Sequence, residues 1–216
     1  AALRVGAGKV YICGPSSQRR PFEFIGVPKK IEIFKSMVSR MDVVIAGPGL
    51  GEKADKFLEI AWNADVPLVL DADGLNWLAR NTTLIRRKEL WIGTPHPGEA
   101  ANLLGEQISD RFKALHKLSN KYGGIWVLKG AGTLVGPNPT FVNPFSDSIL
   151  ATAGSGDILS GIIGGLVSQK AIEPEILGVY LHSESARLII SSDKKTMVAS
   201  DLLEKIGVAL YHLKNK

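Results

Sequence analysis

Six short apolar runs, each leading into a helical pattern or a glycine-rich loop, limit what this chain can fold into more than any other feature. Residues 10–13, 42–46, 67–71, 90–94, 125–129 and 133–135 carry them, several nearly continuous in Val, Ile and Leu. Such runs suit parallel strands buried on both faces, because a strand with one wet face alternates instead. Between them, residues 29–40 place Ile31, Phe34, Met37 and Val38 on one helical face. Residues 53–63 do the same with Phe57, Leu58 and Trp62, and residues 110–121 with Phe112, Leu115 and Leu118. This alternation predicts an α/β fold, with a mostly parallel central sheet and helices on both faces. From residue 156 onward only helices are expected, over 156–169, 173–191 and 197–214. Gly164-Gly165 would weaken the first of these in isolation, so another backbone is expected to pack closely there.

A length of 216 residues suits one domain, 1–216, with a sizeable core. The net charge of +5 is thinly spread. Its densest clusters, Arg19-Arg20 and Arg86-Arg87-Lys88, read as solvated surface or as a mild field favouring anionic ligands. There is no basic stripe or module of the kind nucleic-acid binding needs. No apolar run nears the roughly 18 residues of a membrane span. The single cysteine, Cys13, permits no internal disulfide and suits a reducing, cytoplasmic setting. It lies in an apolar run and reads as core filling. The opening residues, Ala1 to Gly8, read as a helix end followed by a glycine stop, which predicts a helix upstream. Leu177, Val179, Leu181, Leu188 and Ile189 fall on more than one face of their helix, which predicts a homo-oligomer.

In open α/β sheets ligands bind at the carboxyl ends of the strands. Four polar or glycine-rich loops fall there: Gly47-Pro48-Gly49-Leu50-Gly51, Asp71-Ala72-Asp73-Gly74, Thr94-Pro95-His96-Pro97-Gly98-Glu99 and Lys129-Gly130-Ala131-Gly132-Thr133. The first fits neither G-x-G-x-x-G nor the P-loop. It is either a tight turn or a place where backbone meets ligand. Asp71 and Asp73 could touch magnesium through water, or merely shape a turn with Gly74. His96, held between two prolines, is either structural or a contact to a ligand phosphate or ring. His116, His182 and His212 lie in helical patterns and read as structural. No His/Cys cluster has zinc spacing.

The strongest element is Ala151-Thr152-Ala153-Gly154-Ser155-Gly156-Asp157, which runs straight into a helix. Small residues let backbone N–H groups converge on an anion, and the helix N-terminus adds its positive dipole end. Asp157 is either a plain helix cap or a proton acceptor beside a phosphoryl group.

At Gly154-Ser155-Gly156-Asp157 the sequence resembles the ribokinase-like superfamily, whose G-[AST]-G-D motif forms an anion hole and supplies a catalytic aspartate. The five loops together, in this order, resemble the NAD(P)H-hydrate dehydratases across nearly the whole chain. The T-P-H-P-G-E and K-G-A-G-T runs separate them best from sugar and vitamin kinases. The resemblance implies a ribokinase-like three-layer fold and a repair reaction. ADP or ATP, with Mg2+, phosphorylates the ring hydroxyl of hydrated NADH or NADPH; phosphate then leaves and the double bond returns. It also implies roles. Asp157 would be the base, and the backbone of Ala153, Gly154, Ser155 and Gly156 the anion hole. Lys129, Gly130, Ala131, Gly132, Thr133 and Gly156 would hold the nucleotide, and Gly49, His96 and Asp157 the hydrate. Some family members carry an epimerase domain, so a fused or separate epimerase is an expected partner.

Two departures stand out. The family has a G-N-P-G-M-like run before the anion hole, where this chain has Asn143-Pro144-Phe145-Ser146-Asp147-Ser148-Ile149-Leu150. The family also begins with a strand, a glycine-rich loop and a helix ahead of the position of Ala1. The chain is therefore expected to continue upstream by about 30 to 50 residues, the length of one β–loop–α unit. The competing readings are a vitamin-precursor kinase of the same superfamily and a non-catalytic nucleotide sensor.

Overall fold

The computed structural model describes residues 1–14, 21–81, 86–192 and 196–215. The Arg19-Arg20 cluster lies outside them. The main sheet has six strands in the order β3 (Val44–Ala46), β4 (Leu68–Leu70), β5 (Trp91–Gly93), β6 (Ile125–Leu128), β7 (Leu134–Gly136) and β8 (Phe141–Val142). The β3–β4, β4–β5 and β5–β6 pairs are parallel, and β7 and β8 add on antiparallel. The mostly parallel sheet is thus as expected, with β3 to β6 each shorter than its apolar run.

Both faces are covered, and the strand period sorts the side chains. Leu68, Leu70, Trp91, Trp126, Leu128 and Leu134 point to one side. There they meet α2 (Asp55–Asn63), α3 (Asp73–Arg80), α4 (Pro97–Leu104) and α5 (Arg111–Tyr122). Val69, Ile92, Val127 and Val135 point to the other side, onto Leu159, Ile163 and Val167 of α6 (Ser155–Ser168) and Val179 of α7 (Pro174–Ile190). Alternate residues of one strand face opposite layers, which is why the runs read as continuously apolar. A further helix, α8 (Ala199–Lys214), packs on α6 and α7. Gly165 of α6 lies against the Ala2 backbone: an added Cβ would stand 2.9 Å from its carbonyl oxygen. This is the close approach that the Gly164-Gly165 pair predicted.

Two expectations need correction, and the basis of a third changes. The run at 10–13 does not join the main sheet. It forms β1 (Val10–Gly14), which pairs in parallel with β2 (Phe24–Pro28) in a separate two-stranded sheet. β2 escapes the apolar pattern because Gly26 and Pro28 interrupt it, and a single one of its residues, Val27, is buried. α1 (Ile31–Val38) follows it. Cys13, expected in the core, is half-buried on β1 for the same reason. Finally, the many-sided apolar character of α7 is used within the chain. Val179 faces the sheet, while Leu181 and Ile189 pack toward α8 with Leu177 and Leu188 beside them. A helix between two layers is apolar on more than one face for that reason, so this pattern by itself does not bear on oligomeric state. The opening residues 2–5 form a 3₁₀ turn closed by Gly6 at φ 110°, the glycine stop that was anticipated. Among the described residues no helix is long and apolar enough to cross a membrane.

Candidate active site

Because β3 to β6 run parallel, their carboxyl ends open on one edge, and the ladder extends past them. Asp71 N–H donates to Ala46 O, Thr94 N–H to Leu70 O and Lys129 N–H to Pro95 O. Asp71, Thr94 and Lys129 are thereby set side by side. The first glycine loop is fastened here. Gly47, at φ 131°, lies so close to the Asp71 carbonyl that a Cβ would overlap it at 1.6 Å. No L side chain could be held there.

A cleft of about 660 Å³ opens above this edge. One side carries Asp71, Ala72, His96, Glu99, Lys129, Gly130, Ala131 and Thr133, and the other Asn143, Phe145 to Ser148, Leu150 to Thr152 and Ser155 to Asp157, with His182 at the back. Its floor is a buried charge network. Lys129 Nζ stands 2.8 Å from Asp71 Oδ1 and 3.7 Å from Glu99 Oε2. Ser160 Oγ donates to Asp71 Oδ2 at 2.5 Å, and the Ala72 N–H donates to Oδ1. Asp71 thus has partners on both oxygens, which suits a carboxylate almost out of water. Ala72 holds φ 47° and ψ −120°, a strained backbone for a residue with a side chain, at the lip of the cleft.

The α6 N-terminus forms the opposite wall. Gly154 caps it in the left-handed conformation, and no side chain caps it. Asp157 therefore is not a plain cap. Its carboxylate is exposed in the cleft and makes no hydrogen bond or ion pair among the described residues. Of the amides expected to meet an anion, that of Ser155 is committed to Thr152 O at 3.2 Å. The amides of Ala153, Gly154, Gly156 and Asp157 make no backbone hydrogen bond among the described residues.

The other anticipated residues divide. His96 lines the cleft and also caps α4: its Nδ1 accepts from Glu99 N–H, and its own N–H donates to Glu99 Oε2. His96 is thus at once a structural cap and part of the cleft wall. Lys129, Gly130, Ala131 and Thr133 line the cleft, whereas Gly132 does not. Gly49 sits in open space, outside the cleft lining. Asp73 is also outside, accepting from the Gly51 N–H at 2.9 Å. No group of three or more His, Cys, Asp or Glu side chains suited to a metal ion exists among the described residues.

Two residues that the sequence did not assign to the site, Arg111 and the histidine read as structural at 182, border it. Arg111, at the start of α5, donates to Ala131 O at 2.6 Å and Leu128 O at 3.0 Å, fastening the Lys129–Thr133 loop from outside. His182 of α7 is buried against Ser155, with Nε2 3.1 Å from the hydroxyl and 3.0 Å from the carbonyl oxygen. Burial, followed by the Lys129 charge and against the hydrogen bond to Ser155, lowers its pKa to about 4, so it is neutral near pH 7. Nothing local marks either residue. Arg111 looks like an ordinary first-turn arginine, and His182 like a helical histidine.

A family model described as NAD(P)H-hydrate dehydratase matches residues 1–207. A bifunctional NAD(P)H-hydrate repair enzyme of Coxiella burnetii is 40% identical over 225 aligned positions, covering 96% of this chain but 46% of the relative. The chain thus spans less than half the length of that enzyme. The ADP-dependent (S)-NAD(P)H-hydrate dehydratase of Neisseria meningitidis is 37% identical over 100% of this chain and 78% of its own length. Among solved structures, the ADP/ATP-dependent NAD(P)H-hydrate dehydratase of Bacillus subtilis, co-crystallised with ATP and Mg2+, superposes with a TM-score of 0.75. Its identity is 25%, over 88% of this chain and 72% of that one.

Proposed function

The chain belongs to the NAD(P)H-hydrate dehydratase family, and on that premise we propose that its cleft uses ADP or ATP to dehydrate hydrated NADH or NADPH. The observation that carries the reading is the unpartnered Asp157 carboxylate beside the free amides of the α6 N-terminus, with the Lys129 ammonium in the floor below. Asp157 accepts the proton of the ring hydroxyl as its oxygen attacks the terminal phosphoryl group. The amides of Gly154 and Gly156 meet the charge that builds on the phosphoryl oxygens, and the helix dipole and Lys129 add positive potential. The nucleotide lies along Lys129–Thr133 residues and leaves as AMP or ADP. The new phosphate ester then breaks at its carbon–oxygen bond and the adjacent ring carbon gives up a proton to water, releasing inorganic phosphate and restoring the ring double bond. In this scheme His96, which lines the same cleft, contacts the hydrate.

The donor set suits magnesium carried in on the nucleotide phosphates. Magnesium keeps several waters and takes one or two carboxylates, and Asp71 in the cleft floor is within reach of a water-mediated contact, whereas Asp73 is engaged elsewhere. Bound there, the ion would neutralise phosphate charge. The bifunctional relatives make an epimerase activity, fused or separate, a fitting partner.

The test is to incubate the protein with hydrated NADH, magnesium and either ADP or ATP, and to follow the absorbance of regenerated NADH. Nucleotide-dependent recovery with release of inorganic phosphate is expected. Phosphorylation of hydroxyethylthiazole with no recovery of NADH would overturn the reading in favour of a vitamin-precursor kinase.

A further inference from the structure

Ser155 occupies the first position of α6, in the middle of the anion-binding run, yet its amide is turned back to Thr152 O. Its side chain is 3% exposed and lines the cleft together with His182. The geometry around His182 assigns the hydrogens. Nε2 lies 3.0 Å from the Ser155 carbonyl oxygen. Two lone pairs at that distance would repel, so Nε2 carries the hydrogen. Sharing it, the ring donates to the carbonyl and to Oγ at 3.1 Å. The Ser155 hydroxyl oxygen then accepts from the ring, and its own hydrogen must go elsewhere. No acceptor for it exists among the described residues. A buried donor without an acceptor is costly unless a ligand completes it. The same tautomer prevents His182 from taking the Ser155 proton, so this pair is not a nucleophile and its base.

The back of the cleft holds this arrangement rigidly. Ser183, next to His182 on α7, accepts a hydrogen bond from Asn143 Nδ2 at 2.8 Å and so ties the 143–150 wall to the same helix. Ser183 Oγ itself donates to Val179 O.

We propose that the Ser155 hydroxyl, aimed by His182, donates a hydrogen bond to the transferred phosphoryl group. The anion hole thereby has a side-chain donor where the Ser155 amide is missing. Ser155 is a catalytic residue in this scheme and His182 a positioning residue. The proposal rests on the phosphoryl-transfer reading of the cleft given above.

The test measures nucleotide-dependent recovery of NADH for the parent protein and for Ser155→Ala, His182→Phe, His182→Gln and the double variant Ser155→Ala/His182→Phe. Removing one oxyanion donor costs about 100-fold in kcat at full strength, so a drop of about 10- to 100-fold is expected for Ser155→Ala with little change in the KM for hydrate. His182→Phe should lose a similar factor, and the double variant should be no slower than Ser155→Ala alone, because both remove one interaction. His182→Gln, whose amide can replace the Nε2–H, should recover most of the loss. A purely structural His182 would give losses that multiply, and that result overturns the proposal, as does parent-like turnover in Ser155→Ala. If Ser155→Ala fails to fold, Ser155→Cys, of similar size but a weak donor, replaces it with the same expectations. A parent protein that recovers no NADH defeats the phosphoryl-transfer reading itself, and this proposal with it. A parent that works alongside variants that work equally well defeats the Ser155 proposal alone.

Discussion

The Lys129 ammonium is held 2.8 Å from the Asp71 carboxylate, directly beneath the first turn of α6. A Cβ built on Gly156 would stand 3.3 Å from that Nζ and 3.8 Å from Asp71 Oδ2. Gly156 is therefore the residue through which helix and charge network touch. In Gly156→Val the branched side chain must displace Lys129 from Asp71 or lift the helix start from the cleft. Phosphoryl transfer is expected to be lost, with the nucleotide still bound more weakly than in the parent. Turnover close to the parent in a folded Gly156→Val would show that the α6 start is not the phosphate site.

Asp157 carries no structural partner among the described residues, so its removal has little to disturb in the fold. Asp157→Asn should melt with the parent and bind nucleotide, while turnover falls by about 100-fold or more, the scale of a positioned base. Steady-state kinetics together with a thermal melt separate these effects.

Arg111 fastens the nucleotide loop by its carbonyls at Ala131 and Leu128, leaving the cleft side of the loop free. In Arg111→Ala those carbonyls turn to water and the loop loosens. The KM for nucleotide should rise about tenfold, matching a charged hydrogen bond worth about 1.5 kcal/mol, with the KM for hydrate unchanged. Equal rises in both KM values would point to a general loss of structure.

His182 makes stability depend on acid. Unfolded, its imidazole titrates at its ordinary value of 6.5; folded, chiefly because of burial, it does so at about 4. Between the two the unfolded chain binds more protons, so stability is complete above about pH 6.5 and falls as pH is lowered towards 4. The loss from this one group should approach about 3 kcal/mol. Urea midpoints for parent and His182→Gln, measured at about pH 7 and about pH 5, test it: the parent should lose more than the variant. Parallel losses would place the acid sensitivity elsewhere.

What the amino-acid sequence determined by itself is what short range encodes. The runs at 67–71, 90–94 and 125–129 announce buried parallel strands, because alternate residues of each face two apolar layers. The loops after them announce the ligand edge, since parallel strands carry their carboxyl ends to one side. Ala151 to Asp157 announces a glycine-capped helix start at the cleft, because small residues and a helix start are sequential features. Tertiary structure decided the rest. β2 (Phe24–Pro28) has no apolar run to betray it and exists through its pairing with β1. Gly49 and Asp73 belong to the right loops but fall outside the cleft, since a loop's tip is placed by what it packs on. Lys129 and Asp71, 58 residues apart, form one ion pair, and His182 finds Ser155 across 27 residues. Hydrogen bonds of that kind depend on where two helices or two strand ends meet, and no local pattern of residues carries that information.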